Sequence, residues 1–303
     1  MEDARQPLIR FEDQVVLITG AGGGLGRAYA LAFAERGAKV VVNDIGATRD
    51  GAGSSRGPAE AVAAEIRAMG GEAIANTDSV ADADGGEAMV ASAVAAFGRL
   101  DVLVNNAGNL RDTSLAKMKP EDWNAILDVH LKGAFCVTAP AFRVMKNQNY
   151  GRILFTTSAA GLYGNFGQTH YAAAKMGLVG LMQALGIEGM KNNIQTNAIA
   201  PLAASRMTED LLPGEVLENM SPATVAPLVL WLASRECRES GGIFNMGLGC
   251  LNRVQLVTGR GLRFDPKKGL SPESIAGMWS EVLSMEGAKA YPDMNAFVLG
   301  LFS

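Results

Sequence analysis

Seven short apolar runs, most of them rich in β-branched residues, alternate along this chain with longer stretches of helical period. Val15–Thr19, Lys39–Asn43, Glu72–Asn76, Leu100–Asn105, Arg152–Thr157, Gln195–Ile199 and Gly242–Asn245 read as strands, several of them continuously apolar rather than alternating. Such strands belong to a parallel sheet covered on both faces. Between them, Leu25–Arg36, Pro58–Met69, Gly85–Phe97, Pro120–Met145, Thr169–Met190 and Pro222–Ala233 read as helices. Strand–helix–strand repetition of this length builds right-handed crossovers. The expected fold is therefore α/β, a doubly wound, mainly parallel sheet with helices on both faces.

No linker divides the chain before about Gly249, so residues 1–249 are expected to form one domain. Residues 250–303 are first basic (Arg253, Arg260, Arg263, Lys267, Lys268), and Ser271-Pro272-Glu273 then opens an amphipathic helix. This C-terminal helical extension is expected to pack on the domain or on a neighbouring subunit. Residues 46–57 (GATRDGAGSSRG) read as a polar, glycine-rich surface excursion after the second strand.

Of the 303 residues, 48% are hydrophobic and 19% charged, enough apolar content to exclude disorder as the main state. A net charge of −4 argues against a general nucleic-acid binder, which needs a basic stripe for the phosphates. Three scattered cysteines (Cys136, Cys237, Cys250) and two histidines form neither a disulfide framework nor a metal site. Residues 1–14 mix charges without an apolar core, unlike a signal peptide. The longest apolar stretch, Ala223–Ala233, is too short to span a membrane and contains Pro227. A soluble cytoplasmic protein without membrane or nucleic-acid partners is the expectation.

Thr19-Gly20-Ala21-Gly22-Gly23-Gly24-Leu25-Gly26 follows the first strand and opens a helix. Glycines there let the backbone approach a pyrophosphate, and a helix N-terminus offers free N–H groups and positive potential. The next strand ends in Asn43-Asp44, where a carboxylate accepts both hydroxyls of an adenosine ribose and repels a 2′-phosphate. Two unit charges 4 Å apart interact by roughly 4 kcal/mol at an effective dielectric near 20, and ~1.4 kcal/mol suffices for a tenfold preference. NAD is favoured over NADP. Arg49 and Arg56 are the nearby cations that could instead meet a phosphate.

Tyr171 and Lys175 stand four apart on an expected helix and share a face. A phenol titrates near 10, and neighbouring cations favour its phenolate, which makes Tyr171 a candidate general base. Alone, such a pair is more often a packed tyrosine beside a surface lysine. Context changes that, because Ser158 ends the strand Arg152–Thr157, and parallel sheets bind ligands beyond their carboxyl ends. The hydroxyl of Ser158 can hold a carbonyl or alkoxide oxygen. A protein that merely sensed NAD would not need all three residues. His170 adjoins Tyr171 and is assigned to packing. Leu162, Tyr163, Asn165 and Phe166 either line a pocket or are structural.

The order TGAGGGLG, Asp44, Asp78, Asn105-Asn106-Ala107-Gly108 and Ser158/Tyr171/Lys175 over residues 15–200 resembles the short-chain dehydrogenase/reductase family. The resemblance implies a Rossmann-like sheet of seven parallel strands, hydride transfer at a carbinol or carbonyl carbon, and a homodimer or homotetramer. Carried onto this sequence, it implies catalysis by Ser158, Tyr171 and Lys175. It places NAD against Gly20, Gly24, Leu25, Gly26, Asp44, Asp78, Ser79, Asn106, Ala107, Gly108, Tyr171 and Lys175. Two positions depart from the common pattern. His130 replaces an asparagine, either as a catalytic histidine or as a substitution tolerated because only the main-chain carbonyl is used, and the second is preferred. Pro201-Leu202 stands where Pro-Gly is usual.

Both departures, with DVHLKGAF and GLYGNFGQTHYAAAK, resemble the dehydrogenase unit of peroxisomal multifunctional enzymes type 2, also called 17β-hydroxysteroid dehydrogenase type 4. That implies NAD-dependent oxidation of (3R)-hydroxyacyl-CoA to 3-ketoacyl-CoA in fatty-acid or sterol side-chain breakdown, with a hydroxysteroid as the alternative substrate. The chain ends Leu301-Phe302-Ser303, without a Ser-Lys-Leu signal or appended domains, so a free-standing cytoplasmic form is expected.

Overall fold

The structure, a computed structural model, describes residues 8–48, 50–203 and 220–301. Arg49, part of the Pro201-Leu202 loop's continuation and the last two residues lie outside that description. Seven parallel strands are present: β1 (Val15–Thr19), β2 (Lys39–Asn43), β3 (Glu72–Asn76), β4 (Val102–Asn105), β5 (Gly151–Thr156), β6 (Ile194–Leu202) and β7 (Ile243–Gly247). An eighth, β8 (Cys250–Val254), corrects the expected count of seven. Leu248 and Gly249 separate β7 from β8, both at positive φ (52° and 71°), and a two-residue link joins only antiparallel neighbours.

The sheet order is β3-β2-β1-β4-β5-β6-β7-β8, with Val16 opposite both Val40 and Val102. Winding reverses between β1 and β4, so a crevice opens there at the carboxyl ends of the strands. All five residues of β1 and all four of β4 are buried, as the continuous apolar runs required.

Helices α1 (Gly24–Ala34), α2 (Gly57–Ala68) and α8 (Ala226–Ala233) cover one face through a cluster that includes Phe11, Tyr29, Phe33, Ile66, Val229 and Leu230. Helices α3 (Ala83–Phe97), α5 (Gly133–Gln148) and α7 (Thr169–Gly189) cover the other, joined by α4 (Pro120–Leu127) and the short α6 (Ala159–Tyr163). Between α4 and α5, Asp128–Lys132 forms one π-helical turn, a feature that marks functional sites. The continuous helical run Pro120–Gln148 is long and apolar enough to cross a bilayer, which the sequence reading missed; half of its apolar window is buried in packing.

One compact unit runs Met1–Arg253 and a second Val254–Ser303. In the second, the expected single helix breaks at Met278 into α9 (Pro272–Gly277, capped by Ser271) and α10 (Trp279–Leu283). It also holds α11 (Met294–Gly300), capped by Asp293, a Thr258–Lys289 bridge and an edge-to-face Tyr291–Phe297 pair. None of its described residues is buried.

Candidate active site

The glycine loop is shaped by atoms that are missing. A Cβ on Gly26 would lie 2.3 Å from the Gly20 carbonyl oxygen, inside contact distance, so the first turn of α1 sits on the loop only because residue 26 has none. Gly24 holds φ at +51° and faces open space. No side chain caps α1 and no acid stands in its first turn, so its leading N–H groups have no side-chain acceptor and suit an anion. Leu25 packs its side chain on the core. A dinucleotide's pyrophosphate fits this cradle.

Asp44 closes one side. Its Oδ2 accepts the Gly22 N–H and its Oδ1 the Gly46 N–H, each at 2.8 Å, which fixes the carboxylate at the end of β2 beside the loop. Asn106 is a strut between strands: its Nδ2 donates to Thr19 O (3.0 Å) and Gly20 O (3.1 Å). The N–H groups of Asn106 and Ala107 both reach Thr19 Oγ1. Asp78 and Ser79 form a separate group at the end of β3. Asn76 Nδ2 donates to Asp78 Oδ2 (2.7 Å), Asn43 Nδ2 to Asp78 O (2.9 Å), and Ser79 Oγ accepts the Ala81 N–H.

At the chemical end, Ser158 caps α6 by accepting the Ala160 N–H, and its hydroxyl is near enough to the Tyr171 phenol to pull the phenol's pKa down. Lys175 follows one turn along α7. Its Nζ lies 5.5 Å from the Tyr171 ring centre and donates to Thr156 O at 2.7 Å, while Thr157 Oγ1 donates to Lys175 O. The three residues are thus brought together. Their electrostatics differ from expectation. Burial pushes the Tyr171 pKa up, more than the neighbouring Ser158 hydroxyl pulls it down, and burial lowers Lys175 to about 7. Burial thus weakens the lysine as the neighbouring cation the sequence suggested.

Two side chains gain importance. His130, on the π-turn, is buried and stacks edge-to-face on Tyr171 with ring centres 5.1 Å apart. Burial and the nearby Lys175 hold its pKa well below the usual histidine range, so the ring is neutral and unsuited to protonated catalysis at neutral pH. Gly108 leaves room for it, since a Cβ there would lie 2.5 Å from His130 Cε1. His170 is also buried, with its Nδ1 accepting the Tyr171 backbone N–H. A cavity of about 10 Å³, room for one water, is bounded by Thr19, Asn105, Ala107, His130 and Lys175. The helical period gave no sign of these contacts, which join residues distant in sequence.

The short chain dehydrogenase family pattern matches residues 14–214. Peroxisomal multifunctional enzyme type 2 of Mus musculus is 51% identical over 281 residues, 92% of this chain and 38% of its own length. The full-length peroxisomal multifunctional enzyme type 2 from Drosophila melanogaster matches with a TM-score of 0.82 at 41% identity, over 97% of this chain and 49% of that one. A 7α-hydroxysteroid dehydrogenase, solved with NADH and 7-oxo glycochenodeoxycholic acid, matches with a TM-score of 0.71 at 27% identity, over 79% of this chain and 95% of that one. This chain thus spans less than two thirds of the multifunctional relatives' length. A glycine loop at the switch point, a serine beside a tyrosine, a lysine one turn on, and these likenesses converge: the chain belongs to the short-chain dehydrogenase family.

Proposed function

We propose that this dehydrogenase oxidises (3R)-hydroxyacyl-CoA to 3-ketoacyl-CoA with NAD, in fatty-acid or sterol side-chain breakdown. The observation that carries the reading is Tyr171 with Lys175 one turn along α7, the lysine Nζ 5.5 Å from its ring centre, beside the Ser158 hydroxyl. It is supported by the 51% identity to a peroxisomal multifunctional enzyme. The N–H groups at the start of α1, with Gly20, Gly24, Leu25 and Gly26, would hold the pyrophosphate. Asp44 would take the adenosine ribose, and its charge opposes a 2′-phosphate. Asp78, Ser79 and Asn106–Gly108 would flank the adenosine and ribose.

When bound, NAD supplies the hydride acceptor. Ser158 fixes the substrate's 3-oxygen, and Tyr171 Oη takes its proton. Lys175 would contact the nicotinamide ribose and steady Tyr171. Because burial raises Tyr171, the positive nicotinamide of the oxidised cofactor would supply charge favouring its phenolate.

The test is NADH production from a (3R)-hydroxyacyl-CoA, its pantetheine truncation and a free hydroxysteroid, compared by kcat/KM. The reading requires the CoA thioester to lead; a leading steroid would establish the alternative suggested by the bile-acid enzyme's similarity. The same reading includes a homodimer or homotetramer in the cytoplasm. Sedimentation as a monomer, or fractionation with peroxisomes, would overturn those two parts.

A further inference from the structure

The chain has two histidines, and both bind the backbone of one loop, the segment after β4. His130 Nε2 lies 3.1 Å from Asn109 N and 2.8 Å from Asn109 O, and His170 Nε2 lies 2.9 Å from Arg111 O. Each also meets Tyr171, His130 by its ring and His170 by accepting the Tyr171 N–H at 2.9 Å. Since His170 Nδ1 accepts, its proton sits on Nε2 and is donated to Arg111 O, so one tautomer satisfies both bonds. No other side chain caps α7 at Gln168, which makes His170 the acceptor for an otherwise bare first-turn N–H.

The loop is stitched to the start of α7 at two more points, Thr113 N–H to Gly167 O and Gln168 Nε2 to Asp112 Oδ2, both 2.8 Å. Its far side is tied to the 46–57 excursion, because Arg111 Nε donates to Asp50 O at 3.0 Å, and to α4, where Arg111 Nη1 lies 3.4 Å from Asp122 Oδ1. That excursion hangs from Asp44 through Gly46 and closes on itself from Ser55 N–H to Ile45 O. An unbroken series of bonded groups leads from the ribose-end carboxylate to the tyrosine.

We propose that His170 is a positioning residue for the reaction: it spans from Arg111 to the Tyr171 backbone and sets where the phenol meets Ser158, with Arg111 anchoring the loop on the 46–57 excursion. This rests on Tyr171 as the proton acceptor. Both bonds must hold for the span to work, which separates it from a simple helix cap. Asparagine puts an oxygen near the Nδ1 position and keeps the bond to Tyr171 N–H, but falls short of Arg111. Glutamine reaches Arg111 O and leaves Tyr171 N–H bare.

The experiment measures kcat, KM for NAD, NAD affinity and Tm for His170→Asn and His170→Gln. Each should lose about tenfold in kcat, with KM for NAD and NAD affinity within about twofold, since sub-ångström misplacement acts on the chemical step. Wild-type kcat in either variant overturns the proposal, as does an NAD affinity that falls in step with kcat. Should either variant fail to fold, Arg111→Ala reads the same loop from its exposed side. There kcat should fall about threefold, and an unchanged kcat overturns the proposal. Tyr171→Phe run alongside separates the failures: an active Tyr171→Phe removes the functional reading, whereas an inactive one beside fully active His170 variants removes only the span.

Discussion

The two ends of the cleft are made of different materials. Around β1, β2 and β4 the work is done by backbone and by absent atoms: Gly26 lacks a Cβ, the leading N–H groups of α1 are uncapped, and Asn106 ties carbonyls together. Around β5 and α7 it is done by buried titratable side chains, Tyr171 with its pKa raised and Lys175 with its pKa lowered to about 7. The first end is mainly a matter of shape, with Asp44 adding a carboxylate fixed by two backbone N–H groups. The second trades solvation for reactivity, so its behaviour depends on pH and on what binds beside it.

The sharpest contrast comes from Tyr171→Phe, which should lose about 10³-fold in kcat while binding NAD normally, because only proton transfer is removed. Retained turnover would end the distinction. Gly26→Ala tests the other end, where a methyl 2.3 Å from Gly20 O must displace the loop. NAD affinity should fall roughly 100-fold by calorimetry, consistent with overpacking costs of about 1–3 kcal/mol.

Lys175→Met then probes the dry end by stability. A lysine lowered from 10.5 to about 7 binds fewer protons folded than unfolded between those values, so wild-type stability rises with pH across that window. Its contribution should grow by about 2 kcal/mol from pH 7 to 9 in denaturant titrations, a rise the methionine variant lacks. Parallel curves for the two proteins would show that Lys175 is not desolvated. The smallest effect belongs to Asp44→Ala, expected to move the NAD-to-NADP ratio of kcat/KM about tenfold toward NADP.

The same contrast explains what could be read from sequence. Strands β1, β2 and β3 fall on the expected residues, and the glycine spacing located the cradle, because both signals are local. The edge strand Cys250–Val254 escaped because it is largely exposed, and its turn begins with Leu248, a residue that gives no hint of positive φ. The π-turn at Asp128–Lys132 lay hidden inside a good helical period. The partnership of Tyr171 and Lys175 was visible as a spacing, but the sign of the pKa effects was not, since desolvation depends on everything packed around them. His170 was judged by its helical neighbours alone; Arg111 lies 59 positions away.

The second unit carries a different lesson. Fifty residues from Val254 onward include Trp279 and Leu283, at 50% and 61% exposure, and no described residue that water cannot reach. Three short helices, two of them capped, without an interior offer little resistance to fraying, because nothing greasy is gained when they form. Cut away as a peptide, this stretch should give a coil-like circular dichroism spectrum and fall quickly to trypsin at its arginines and lysines.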